Sequence, residues 1–181
     1  DEVTYTASMD GKIEMQNDRI VVLPVHEVSG NAELAEGNID FRGDIVIHGN
    51  VESGVNIRAT GSITIDGVAE ACMLEAGKDI ILRGGMLGGN KASVKTKGAI
   101  TAKFFEFTNI LCEGDLQADV LMDCSVICHG QIRLTGRKGS IIGGKVQAIR
   151  GLIATSLGND AEKRTEIFVG AGIDVYSRLR V

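Results

Sequence analysis

The chain has one proline and no tryptophan, and only five Phe and two Tyr in 181 residues. With so little proline, turns must be made by other residues, and 24 glycines are available to make them. No apolar run approaches the ~18 residues of a membrane-spanning helix. A collagen-like chain is excluded because glycine is neither a third of the residues nor spaced at three. Disorder does not fit a chain that is 44% hydrophobic and 24% charged. The net charge of −5 gives no general footprint for nucleic acid or an anionic membrane. Charge is unevenly divided, however: residues 1–90 hold 15 acids and 6 bases, whereas residues 91–181 hold 9 acids and 13 bases. The four cysteines (Cys72, Cys112, Cys124, Cys128) come without a signal peptide or an Asn-x-Ser/Thr acceptor, which points to a reducing cytoplasm. The first residue is Asp1, as expected of an excised segment.

What the chain does contain is an internal repeat. Six stretches share the form apolar-x-apolar-x-Gly-x-apolar-x-apolar, beginning at Ile39, Ile57, Leu74, Val94, Ile110 and Val126. Their pivots fall at Gly43, Gly61, Lys78, Gly98, Gly114 and Gly130, and only Lys78 departs from glycine. Alternation of apolar residues is the period-two signature of strands with one buried face. Two strands meeting at a glycine able to take a positive φ, in units of 16–20 residues, predict a β-solenoid. Each unit alone is too small to bury its inward row, so neighbouring coils must cover it. A narrow interior of β-branched and small side chains accounts for the scarcity of aromatics. The uneven steps do not suit a left-handed hexapeptide helix, and no calcium-binding nonapeptide is present. The expected fold is therefore an all-β, right-handed, single-stranded parallel β-helix of about six or more coils with an N-terminal β cap. The expected divisions are a strand cap at 1–36 with a turn at Gln16-Asn17-Asp18, the β-helix at 37–170, and a tail at 171–181 that begins a further element.

Motifs for chemistry are few. Gly139-x4-Gly144-Lys145 matches a phosphate-binding loop until Val146, where Ser or Thr should follow, and no helical pattern comes after it. A glycine-rich turn is the expectation. Cys112 and Cys128 occupy equivalent positions sixteen residues apart and should stack inside. Cys124 and Cys128 lack the second pair that a zinc site needs. His26, His48 and His129 have no periodic acid or serine beside them, so surface or turn positions are expected. Asp40, Asp44, Asp66, Asp79 and Asp115 alternate outward, as solvated faces require. No catalytic, cofactor-binding or metal-binding residue is expected. Lys103, Phe104, Phe105 and Phe107 gather three of the five phenylalanines and form the candidate interaction surface. The charge split makes head-to-tail association through coil ends or faces electrostatically possible, and charge drift without consequence is the alternative.

The blocks Gly37-Asn-Ile-Asp-Phe-Arg-Gly43-Asp-Ile-Val-Ile-His-Gly49-Asn-Val, Leu82-Arg-Gly84-Gly85-Met-Leu-Gly88, Ala102-Lys-Phe-Phe-Glu and Lys138-Gly-Ser-Ile-Ile-Gly143-Gly144-Lys-Val-Gln-Ala148 resemble the flagellar assembly protein A family in order and spacing. So do Leu157-Gly158 with Thr165-Glu-Ile-Phe-Val-Gly170, and Ala7-Ser-Met-Asp-Gly11 with Val22-Leu-Pro24-Val. The resemblance covers roughly residues 5–170, the family's central domain. It implies a cytoplasmic bacterial protein with a right-handed β-helix core, normally flanked by an N-terminal domain and a C-terminal helical segment. It carries no catalytic residues. Members of the family are linked to flagellar assembly or polar positioning, and to regulation through a phosphotransferase-system protein. The core is similar in kind to the C-terminal domain of the cell-division inhibitor MinC and to bactofilins, which associate through β-helix surfaces or ends. The resulting expectation is a non-catalytic scaffold with protein partners, able to self-associate. The competing one is a β-helix enzyme acting on a carbohydrate or acyl-transfer substrate.

Overall fold

A computed structural model describes Thr4, Thr6 and residues 11–160 and 163–170; the predicted tail at 171–181 lies outside the described residues. The chain is an all-β parallel solenoid of about eight turns. At ~4.8 Å between rungs, eight turns make a rod of roughly 38 Å. An antiparallel hairpin, β1 (Lys12–Gln16) and β2 (Arg19–Leu23), precedes it. The hairpin turns at Asn17 and Asp18, whose φ values of 50° and 59° suit a tight turn that favours Asn and Asp. After Pro24, β3 (Val25–Val28) pairs in parallel with Asp44–Ile47 as the first rung of an eight-stranded sheet.

The repeat has a direct structural meaning. Each pivot lies one or two residues before a short strand of the eight-stranded sheet, and the first apolar residue of that strand stacks on its counterparts. Ile45, Ile63, Ile80, Ile100, Leu116 and Ile132 form one in-register column, each fully buried. Opposite them, Ile57, Leu74, Val94, Ile110, Val126 and Val146 form a second column, in the ten-stranded sheet. Burying one such side chain is worth about 1.5–3 kcal/mol, so the two columns supply much of the driving force for coiling.

A third column was not visible in the alternation. Val51, Ala69, Met86, Phe105, Leu121 and Ile141 also face inward and are buried. It arises because the long strands Met86–Thr96, Phe104–Cys112, Val120–Cys128 and Ser140–Ala148 bend in the middle. The bends fall at Asn90, Phe107, Asp123 and Gly143, all with positive φ. The cross-section is thus three-sided. The longest step in the repeat, Lys78 to Gly98, is explained at the same corner. Gly88 to Lys91 occupy the bend that Phe107 alone makes in the next coil.

The predicted reason for glycine at the pivots needs correction. Only Gly43 has a positive φ; Gly61, Gly98, Gly114 and Gly130 do not. At these four glycines successive rungs approach too closely for a side chain in the conformation they hold, and Lys78, hydrogen-bonded into the same stack with its side chain exposed, is the one exception. The Gly114 amide donates to Gly98 O at 2.9 Å, and a Cβ on Gly114 would lie 2.6 Å from that same oxygen. At Gly61 the equivalent distance to Gly43 O is 2.7 Å. Beside the glycines, side chains clip one rung to the next. Asp44 Oδ1 accepts from Ser62 N–H at 2.8 Å, Asp79 Oδ1 from Ala99 N–H at 2.7 Å and Asp115 Oδ1 from Gln131 N–H at 2.8 Å. A second series runs through Asn31 and Asn50, which accept from Asn50 N–H and Val68 N–H, both at 2.8 Å. Asp44, Asp79 and Asp115 are therefore structural clips; solvation alone does not account for them.

Gly114→Ala should lower the urea midpoint by an amount equivalent to about 1–3 kcal/mol, the usual cost of overpacking. Gly30→Ala, where a Cβ meets nothing within 4 Å, should change it by less than about 0.5 kcal/mol. Equal effects of the two substitutions would contradict the close-approach account.

Candidate interaction surface

The Lys103–Phe107 segment lies where the eight-stranded sheet hands the chain to the bent sheet. Lys103 occupies the corner after Ile100–Ala102, and Phe104 opens the next strand. Alternation then sends Phe105 inward, where it is 0% exposed and the largest fully buried side chain of the core. Phe105 is thereby corrected from the expected surface to the interior. Phe104 stays half-buried on the outside, in register with Val120. Phe107 is at the bend with φ 47°, and the Lys163 ammonium lies 5.7 Å from its ring centroid. The four residues are thus divided among a rim, a floor, the core and a separate corner.

Around Lys103 and Phe104 the surface dips into a groove of about 360 Å³. Phe104, Val120 and Met122 supply its apolar lining, and Lys103, Arg137 and Lys138 supply cations. Glu106 and Asp119 are the acids within it. None of the three cations has an ion pair or side-chain hydrogen bond among the described residues. Arg137 and Lys138 sit in the loop between Gln131–Leu134 and Ser140–Ala148, which sequence reading did not connect with Lys103. Their offset of 34 and 35 residues is two coils, and the repeat was the signal available to find it.

On the N-terminal coils the electrostatics are different. His48 Nε2 is 2.6 Å from Glu27 Oε1 and Nδ1 is 2.9 Å from Asp66 Oδ2, with Arg83 Nε 3.3 Å from Asp66 Oδ1. Acids therefore do flank His48, contrary to the sequence expectation. They come from the rungs on either side, where linear neighbours are uninformative. Hydrogen bonds to the carboxylates of Glu27 and then Asp66, which favour the protonated imidazole, raise the His48 pKa above its ordinary 6.5. On the other sheet, Asp40, Arg58, Glu75 and Lys95 alternate in sign from coil to coil. Successive contacts there are 3.9, 3.0 and 3.8 Å. Stacked like charges would repel, and alternation removes that cost, although exposed pairs add little. His26 leans on Phe41, with ring centroids 5.4 Å apart.

The cysteines are interior. Cys112 and Cys128 are in register and buried, and their thiols donate to Gly98 O at 3.4 Å and Gly114 O at 3.2 Å. Contact with Cys128 and burial together push the Cys112 thiol up. Burial pushes Cys72 up to about 12 and Cys124 up to about 11. No three His, Cys, Asp or Glu side chains among the described residues gather closely enough to hold a metal ion. The Gly139–Lys145 segment runs into the strand Ser140–Ala148, with Gly143 and Gly144 at the bend. It lacks the helix N-terminus that a phosphate loop requires.

Two outcomes follow. Because the native pKa of His48 is raised, its contribution to stability is fully present below about pH 6.5 and is lost as pH rises through the native value. Relative to His48→Gln, the wild type should melt higher at about pH 5.5 and converge with the variant at higher pH. An unchanged difference across that range would contradict the Glu27–His48–Asp66 linkage. The four thiols should react with an aromatic disulfide reagent only after unfolding. Rapid modification of the native protein would contradict interior packing.

Among the described residues no helix is long and apolar enough to cross a membrane. Neither the curated proteins nor the solved structures contain a significant match. The family described as Flagellar Assembly Protein A beta solenoid domain does match, over residues 24–180. That span begins at the proline that leads into the first parallel rung, and it takes in every coil described above. The chain belongs to the Flagellar Assembly Protein A beta solenoid family.

Proposed function

We propose that this domain is a non-catalytic scaffold that holds protein partners during flagellar assembly or polar positioning, and that it works in the cytoplasm. Its carrying observation is the fate of the polar side chains. Asp44, Asp79, Asp115, Asn31 and Asn50 are engaged in rung-to-rung hydrogen bonds, whereas Lys103, Arg137 and Lys138 make no ion pair among the described residues and surround a largely apolar groove. Such a rod offers a fixed surface with little conformational entropy left to lose on binding. Flagellar components and a phosphotransferase-system protein are the partners that the family membership favours. Cofactors have no part in this reading.

A second reading has one specific observation in its favour. His48 between two carboxylates resembles the setting of a general acid–base residue, as an enzyme acting on a carbohydrate or acyl-transfer substrate would use. The two readings separate in cells of the source organism that carry the gene with single changes. With a triple charge reversal at Lys103, Arg137 and Lys138, flagellar number or placement should fail as in the deletion, at unchanged protein level. His48→Gln should leave flagella normal. The opposite pattern, a silent groove variant and a defective His48→Gln, would replace the scaffold with the enzyme.

A further inference from the structure

Among the described residues, the hairpin ahead of the solenoid leaves an apolar face bare. In its register Met15 faces Ile20 and Ile13 faces Val22, so the four side chains share one side of the ribbon. Ile13, Met15 and Ile20 are 70%, 69% and 68% exposed. A two-stranded ribbon is only marginally stable in water, and an uncovered apolar face makes it less so. The face therefore calls for a cover.

Two copies could meet hairpin to hairpin, but that brings together two halves of the chain with a net charge of −9 each. The second half carries +4 and contains the groove in which Phe104, Val120 and Met122 are ringed by Lys103, Arg137 and Lys138, three cations against the two acids Glu106 and Asp119. At about 360 Å³ the groove is in the size range of sites that seat small organic groups, which suits aliphatic side chains from a ribbon. We propose that the apolar face of the hairpin docks into this groove on a second copy of the chain. The contact is heterologous: each molecule has one donor surface and one acceptor surface, at different places on the molecule. Repetition then builds a ring or an open chain of more than two copies, according to the rotation between neighbours, whereas an isologous contact would stop at a dimer. The cations attract the acidic half of the incoming copy, and the apolar side chains supply the contact area. The proposal rests on the scaffold reading and gives that scaffold a way to extend itself.

Sedimentation velocity on the full chain tests it, with circular dichroism as a check on folding. At about 20 mM salt the mass should rise with concentration past the dimer, and about 500 mM salt should reverse this, since the charges are then screened. Ile20→Glu removes the hairpin surface and Met122→Glu removes the groove surface. Each variant alone should be monomeric, and an equimolar mixture should form a complex that stops at two chains, because one intact hairpin and one intact groove remain. Lys138→Glu, on the groove's cationic rim, gives a second groove variant in case Met122→Glu fails to fold. A protein monomeric at every concentration in low salt would overturn the proposal. So would a dimer that salt strengthens and that only Ile20→Glu abolishes. If self-association fails while the triple charge reversal in the groove still disrupts flagella, the scaffold reading stands with another partner in the groove.

Discussion

In-register stacking of one rung on the next is the constraint from which the rest of this molecule follows. Parallel pairing at ~4.8 Å puts identical positions of successive coils in contact, so each position must tolerate its own neighbour. Apolar positions do so by forming columns such as Ile45, Ile63, Ile80 and Ile100. Charged positions do so by alternating sign, as Asp40, Arg58, Glu75 and Lys95 do. At the tightest points the pivot glycines stack backbone on backbone, Lys78 being the one pivot that carries a side chain. Asp44, Asp79 and Asp115 beside the pivots, and Asn31 and Asn50 at another corner, use their side-chain oxygens as extra rung-to-rung acceptors.

The same constraint explains how function is distributed. Inside, every inward column is filled, and no buried side-chain nitrogen or oxygen among the described residues lacks a partner. Chemistry is left to the corners, where coil length varies and side chains escape the stack. The N-terminal corner collects Glu27, His48, Asp66 and Arg83 into a mixed-charge ladder that links coils. The later corner collects Lys103, Arg137 and Lys138, which make no ion pair among the described residues although Glu106 and Asp119 lie in the same groove. The first half keeps an excess of acids and the second an excess of bases, and at these two corners the acids are tied to neighbours while the cations are not.

Much of the fold was legible because the apolar-x-apolar alternation around Gly43, Gly61, Gly98, Gly114 and Gly130 marks two of the three sides directly. The third side was hidden for a physical reason. Its column runs Val51, Ala69, Met86, Phe105, Leu121, with one buried residue per short arm, too few to show a period. Its bends also escape notice, since Phe107 and Asp123 take positive φ where glycine would be expected. The first rung at Val25–Val28 lacks a pivot altogether and is recognisable only by what it pairs with. For the surface, Lys103 and Phe104 were found as a cluster in sequence, while Arg137, Lys138 and Met122 join them only through the coil period. Phe105 was assigned to the same surface because three phenylalanines in a row of five residues hide the alternation that separates them.

If stacking is the source of stability, protection should depend on how many covered neighbours a rung has. Amide hydrogen exchange followed residue by residue measures this directly. The account predicts the slowest exchange in the central rungs around Ile63, Ile80, Ile100 and Leu116. Exchange should quicken toward Val25–Val28 at one end and Thr165–Val169 at the other, with the hairpin Lys12–Leu23 fastest. Uniform protection along the rod, or a hairpin as protected as the central rungs, would contradict it.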